Sequence, residues 1–153
     1  MVELHKLFDV SYGTKFDLNK MNRTSGEVNF IGRSAKNNGV TARVGLMENT
    51  SPLAKGLITV ALGGSVLSSF LQPQPFYTGQ NIAVLKPKSK MSDGLKLFYC
   101  KAIHSNAYRF STCGREANRT LKNIILPDLN EVPLWVHKVD LSIFDGAEKS
   151  FNE

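Results

Sequence analysis

The stretch "KGLITVALGGSVLSSFLQPQPFYTGQNIAVLKPK", residues 55 to 88, decides how the rest of the chain is read. Its first apolar run, "GLITVALGG" (56 to 64), has strand length and no polar alternation, the pattern of a strand covered on both faces. Gly63 and Gly64 close the run and predict a tight turn or a close backbone approach. "SVLSSFLQ" follows, and "NIAVLKP" (81 to 87) resumes as a second buried strand. Between them, the prolines of "PQPFYTGQ" exclude a central strand, and Gly79 suggests turn chemistry.

Working outward, "LFDVSYG" (7 to 13), "VNFIGR" (28 to 33) and "GVTARVGL" (39 to 46) read as further strands, with the polar "NKMNRTSGE" as a loop. From Ser92, a plausible N-cap, Leu95, Phe98, Tyr99, Ala102 and Ile103 form one apolar stripe at helical spacing, and the helix is expected to end near Ala107. A basic, glycine-punctured segment, "YRFSTCGREANRTLKN", precedes a short "IILP" strand and the proline-bounded "VPLWVHKVDL". Trp135 is expected in the core or at a domain contact, and His104 as a helix-side residue without a functional role. Many short strands, long polar loops and one main amphipathic helix indicate an α+β domain with a mixed, mostly antiparallel twisted sheet. Residues 1–140 are expected to form a single domain and 141–153 an acidic C-terminal tail.

The 153 residues suffice for a core without staples, and a composition of 42% hydrophobic and 21% charged residues is that of an ordinary globular protein. Cys100 and Cys113 form no C-x-x-C pair, and His5, His104 and His137 have no metal-ligand spacing, so no metal and no cofactor is expected. The start "MVELHKLFDV" lacks a signal-peptide pattern and no apolar run reaches membrane-span length, which predicts a cytoplasmic protein without membrane contact.

Charge is divided along the chain. Residues 1 to 32 are neutral, residues 33 to 122 carry thirteen basic and three acidic side chains, and residues 127 to 153 carry two basic and six acidic ones. A middle with a net charge of +10 suggests a polyanionic partner, although a solvated lysine-rich face has the same composition.

Catalytic signatures fail on spacing. "GGSVL" lacks the second glycine of a nucleophile elbow, no Gly-Lys dipeptide supplies a phosphate loop, and no lysine has an acid two residues before it. "QPFY" departs from the Asn-Pro-Pro-Tyr signature of amino methyltransferases at Gln74 and Phe76. No catalytic residue is assigned, and the chain is expected not to be an enzyme. "RSAKNNG" (33 to 39) instead gathers donor chemistry: arginine suits guanine, asparagine suits adenine, and serine and backbone N–H groups suit phosphate. Asn-Asn-Gly also makes an ordinary solvated turn, so both readings stay open on composition alone.

The order "LFDVSYGTKFDLNKM", "VNFIGRSAKNNGV", the 55 to 88 stretch, the helix with "LKLFYCKAI" and finally "LKNIILP" resembles the target recognition domain of restriction-modification specificity subunits. The layout is that of type I specificity subunits and is closest to the BcgI-like and type IIG recognition domains, over residues 4 to 136. The resemblance implies a mixed α/β unit that reads one half of a bipartite site in double-stranded DNA. Such a unit delivers the duplex to an adenine-N6 methyltransferase and a nuclease. By resemblance Arg33, Ser34, Lys36, Asn37 and Asn38 lie near DNA, as do the Gly63 to Ser65 turn, Tyr77 and Thr78, and Arg109, Arg115, Arg119 and Lys122. Arg33, Lys36, Asn37 and Asn38 are the candidates for groove contacts; Ser65, Thr78, Arg109, Arg115, Arg119 and Lys122 are the candidates for phosphates.

The chain departs from the family in having one recognition domain, and "HKVDLSIFDGAEKSFNE" has no heptad spacing where a spacer helix is expected. A half-subunit, a free-standing module and a fragment of a longer protein all fit. The alternative function is a DNA-binding-deficient interaction or decoy subunit that occupies a methyltransferase partner.

Overall fold

The apolar run at the head of the 55 to 88 stretch is a strand: β5 (Ile58–Ala61) is buried at every residue. In the computed structural model, which describes residues 1–24, 26–109 and 120–138, β8 (Ile82–Pro87) pairs antiparallel with β5. The strands β2 (Phe8–Tyr12) and β6 (Ser69–Leu71) complete a four-stranded sheet of order β2-β8-β5-β6. Both central strands are covered on two sides. Ile58, Val60, Ala83 and Leu85 pack with Leu95, Tyr99 and Ile103 of helix α2 (Asp93–His104) in the main core. Val84 meets Ile31 and Phe76 on the other side. A strand so placed has no solvent face for polar residues, which is why its sequence does not alternate.

Ile31 and Phe76 belong to a second, three-stranded sheet. Its central strand β3 (Val28–Ile31) pairs antiparallel with β4 (Val40–Val44) and parallel with β7 (Phe76–Thr78). The register slips between Phe30 and Ile31, so the strand bends as it enters the loop that follows. β7 lies at the edge of its ladder, immediately after Pro73 and Pro75, in keeping with the exclusion of a central strand. After β7 the left-handed backbone falls at Asn81 (φ 58°) and not at Gly79. A two-stranded pair, β1 (Val2–Glu3) with β9 (Ile125–Leu126), brings distant parts of the chain together beside the short helices α1 (Leu4–Leu7) and α3 (Leu134–His137). The α+β class, the mostly antiparallel pairing and the single main helix stand, with the strands divided among three sheets.

Helix α2 begins where Ser92 Oγ accepts the Leu95 N–H at 3.2 Å, with Asp93 in the first turn complementing the dipole. It stops at His104, short of the expected Ala107. Ser105 Oγ donates to Lys101 O at 2.8 Å and Asn106 Nδ2 to Ala102 O at 3.1 Å, so side chains take over carbonyls at the helix end. A 3-10 turn at Ala107–Arg109 follows. Tyr99 fixes the helix to the chain beyond it, donating to Pro127 O at 2.9 Å while its ring meets Phe8 edge-on at 5.5 Å. Trp135 is not core: it is 66% exposed, beside Leu134.

Burial raises the Tyr99 hydroxyl from an ordinary 10.0 to about 12, with Asp128 and Glu131 adding to the shift, and burial raises the Cys100 thiol from 9.0 to about 12. Between pH 9 and 12 the folded chain therefore holds more protons at these two groups than the unfolded chain, and stability falls as pH rises through that window. Urea midpoints measured across this range are expected to decline. In a Cys113→Ser variant, Cys100 should resist alkylation at about pH 8 until the protein is unfolded, since the reactive species is the thiolate.

Candidate nucleic-acid interface

The loop that leaves β3 is held by an unusual backbone. Asn37, Asn38 and Gly39 have φ of 53°, 56° and 79°, three left-handed residues in succession. Asparagine and glycine are the residues that tolerate this conformation, so Asn-Asn-Gly is its sequence signature. Gly32 N donates to Gly39 O at 2.9 Å and Gly39 N to Lys36 O at 3.0 Å, closing the loop at its base. Ser34 Oγ accepts the Lys36 N–H at 3.0 Å.

The loop is also pinned from below. Asn38 Nδ2 donates to Leu71 O at 2.9 Å and to Gln72 Oε1 at 3.4 Å. Gln72, fully buried, returns Nε2 donations to Asn38 O and to Thr59 Oγ1, each at 3.0 Å. Both hydrogens of the Asn38 amide are thus consumed inside the protein, and the paired donor and acceptor that adenine requires are not both on offer. Asn38 positions the loop. Asn37 spends one hydrogen on Val40 O at 3.1 Å and keeps its oxygen and second hydrogen toward solvent.

The glycine turn after β5 meets this loop. Ser65 N donates to Arg33 O at 3.3 Å, and a side chain on Gly64 (φ 60°) would begin 3.0 Å from Arg33 Cβ. Only glycine lets the two segments approach so closely. Arg33, Lys36 and Ser65 are therefore exposed side by side on two segments that sequence alone leaves apart. A cleft of about 290 Å³ separates the loop from α2, with Ala35 and Phe70 on one side and Leu97, Lys101 and His104 on the other. Sequence reasoning gave Lys101 and His104 no role; their place on the outer face of α2 was available from the helical period.

The charge here has no carboxylate partner among the described residues. Among them the ion pairs join the N-terminus to Glu131 and Lys88 to Asp9, His5 is hydrogen-bonded to Glu3, and none of these involves Arg33, Lys36 or Lys101. A rigid loop carrying exposed cations and hydrogen-bond donors beside a basic helix end is suited to a polyanion that also offers acceptors.

The family described as the type I restriction modification DNA specificity domain matches residues 1–152. The chain belongs to that family. It is 27% identical over 151 residues to the specificity subunit of the type II restriction enzyme BcgI from Heyndrickxia coagulans, covering 95% of this chain and 44% of that protein. The type I restriction-modification S subunit from M. genitalium superposes with a TM-score of 0.64 at 21% identity, covering 94% of this chain and 38% of that one. The HsdS subunit from Thermoanaerobacter tengcongensis gives 0.62 at 17% identity, covering 97% and 37%. These structural likenesses carry the fold, and the chain spans less than half the length of each relative.

Within this specificity domain, two of the residues expected near DNA are taken up by the interior. Tyr77 and Thr78 are fully buried. Tyr77 Oη accepts the Met47 N–H at 3.0 Å and donates to Thr50 O at 2.6 Å, and Thr78 Oγ1 donates to Gly79 O at 3.1 Å. Tyr77 thus pins the 47 to 50 segment to the sheet, and neither side chain reaches a ligand surface. Lys122 is exposed but lines a different cleft, with His5, Asp9 and Lys88, at the β2 edge of the four-stranded sheet, whereas Asn38 is bonded to β6 at the opposite edge. Three strand spacings of about 4.8 Å separate the two edges. Arg109 is exposed, with its guanidinium over the Tyr108 ring at 5.6 Å. Arg115 and Arg119 lie outside the described residues.

Asn38→Ala is expected to destabilise the domain by about 1–3 kcal/mol, because it removes the bond to the half-buried Leu71 carbonyl, deprives the buried Gln72 Oε1 of a donor and places alanine at positive φ. Asn38→Gly keeps the backbone and should cost less. Urea unfolding of both variants separates the side-chain part from the conformational one.

Proposed function

We propose that this domain recognises a specific sequence in double-stranded DNA and so sets the target of a restriction-modification methyltransferase or nuclease, without itself catalysing either reaction. The observation that carries the reading is the pinned loop at Arg33 to Gly39, with exposed cations that have no carboxylate partner among the described residues, in a member of a DNA specificity family. A loop already fixed in shape loses little freedom on binding, which favours discrimination between sequences. The methyltransferase partner is an adenine-N6 enzyme, and the complex works in the cytoplasm, where its DNA is. Residues 1–140 are the recognition unit and 141–153 an acidic tail.

Arg33 and Asn37 are the base-reading members of the loop. Lys36, Ser65 and Lys101 hold phosphates on either side of it. The BcgI specificity subunit supports a second target-reading half elsewhere in the full assembly, since the present chain spans 44% of it.

Selection of a randomised duplex library by the purified protein at about 0.15 M salt, alone and with a methyltransferase partner, tests the reading. One enriched motif is expected; no enrichment in either case would sink it. On the selected duplex, Arg33→Ala should weaken binding by about 1–3 kcal/mol and relax one position. Lys101→Ala should weaken all duplexes alike and reduce the salt slope by about 1.

A further inference from the structure

Arg43 stands on β4, in register with Asn29 of β3 and exposed to solvent. Three acceptors fix its guanidinium. Nε donates to Gly26 O at 2.9 Å, Nη2 to Glu27 O at 3.0 Å, and Nη1 to Asn29 Oδ1 at 3.0 Å. Asn29 is oriented in turn, its Nδ2 donating to Gln74 Oε1 at 3.4 Å. A guanidinium has five N–H donors, so two remain, one on each terminal nitrogen. No carboxylate pairs with Arg43 among the described residues.

We propose that Arg43 is a base-reading residue that presents these two donors to the O6 and N7 acceptors of a guanine in the major groove. This rests on the DNA-recognition reading above and extends the interface from the loop across the face of the β3–β4 hairpin. Arg43 forms the shared wall of two clefts. Asn37 and Thr41 line the first, of about 400 Å³, which joins Arg43 to the loop. Leu46, Pro52, Gln74 and Pro75 line the second, of about 490 Å³.

A phosphate has two acceptors with the same spacing, but the surroundings argue against it. Among the described residues neither cleft is lined by a second lysine or arginine, and Glu27 lines one of them. Amides, a hydroxyl and apolar surface are instead what neighbouring base edges and a thymine methyl accept. The side chain's freedom is already spent, so its donors keep one direction when the duplex arrives.

The test uses the duplex selected by the wild-type protein. Replacing the guanine opposite Arg43 with 7-deazaguanine removes N7 and leaves the protein untouched; binding is expected to fall about tenfold. Arg43→Lys keeps the charge without the fork and should lose preference for guanine at that one position, and 7-deazaguanine should then cost it nothing further. Asn29→Ala, which leaves the bonds to Gly26 and Glu27 in place, should relax the same position more mildly. Thermal unfolding of both variants identifies any loss due to misfolding, and the 7-deaza result on wild-type protein stands apart from it. An unchanged motif in Arg43→Lys, no 7-deaza effect at any guanine, or an equal loss on every sequence would overturn the proposal while the wild-type motif upholds DNA reading. A wild-type protein that selects no motif would overturn both.

Discussion

A single buried amide holds the candidate interface in shape. Gln72 has no exposed surface, and its side chain is shared between Thr59 of β5 and Asn38 of the loop. A buried polar group left without partners costs about 1–3 kcal/mol, so this network forms as a whole or the loop moves away. Three left-handed residues in a row would be a poor local minimum for a free peptide; bonded to Gln72 and Leu71, they become the state in which the buried groups are satisfied. Among the described residues no buried side-chain nitrogen or oxygen lacks a partner. The loop thus inherits the rigidity of the central sheet.

That sheet is rigid because β5 and β8 are packed on two sides, by α2 and by the three-stranded sheet. Loops attached to such a layer can change their outward side chains at little cost to the core, since the residues that hold them point inward. Gly64 sets the other geometric condition. Its missing side chain lets the β5–β6 turn lie against Arg33, and two segments about thirty residues apart become one surface.

Much of this was legible in the sequence. The uninterrupted apolar run announced a strand buried on both faces, the stripe from Leu95 to Ile103 announced α2, and Asn-Asn-Gly announced a turn, whose left-handed backbone the structure supplies. What the sequence hid was where donors are spent. Asn38 looks like a base-reading amide until it meets Leu71, thirty-three residues away, and Tyr77 looks available until its hydroxyl meets Thr50. Charge counted along the chain also adds Lys122 to a patch from which the sheet separates it. Arg43, by contrast, carried a usable signal. In "VTARV", Thr41 and Arg43 alternate with Ala42 and Val44, so they must share the outer face of a strand whose inner face is core.

Two kinds of basic residue result, and they differ in what they contribute to recognition. Lys36 and Lys101 are exposed and, among the described residues, unpaired; in the proposed reading their charge acts at a distance, speeds encounter with any duplex and weakens as salt rises. Arg43 has surrendered three of its five donors to the protein and gains little in reach, but the bonds that hold the planar guanidinium also fix the orientation of the two that remain. A held donor pair tolerates few acceptor geometries and so rejects wrong bases. A mobile cation settles on whichever phosphate is near. In the proposed reading the mobile cations bring the domain to DNA, while the choice of sequence falls to Arg43 and the base-reading residues of the pinned loop.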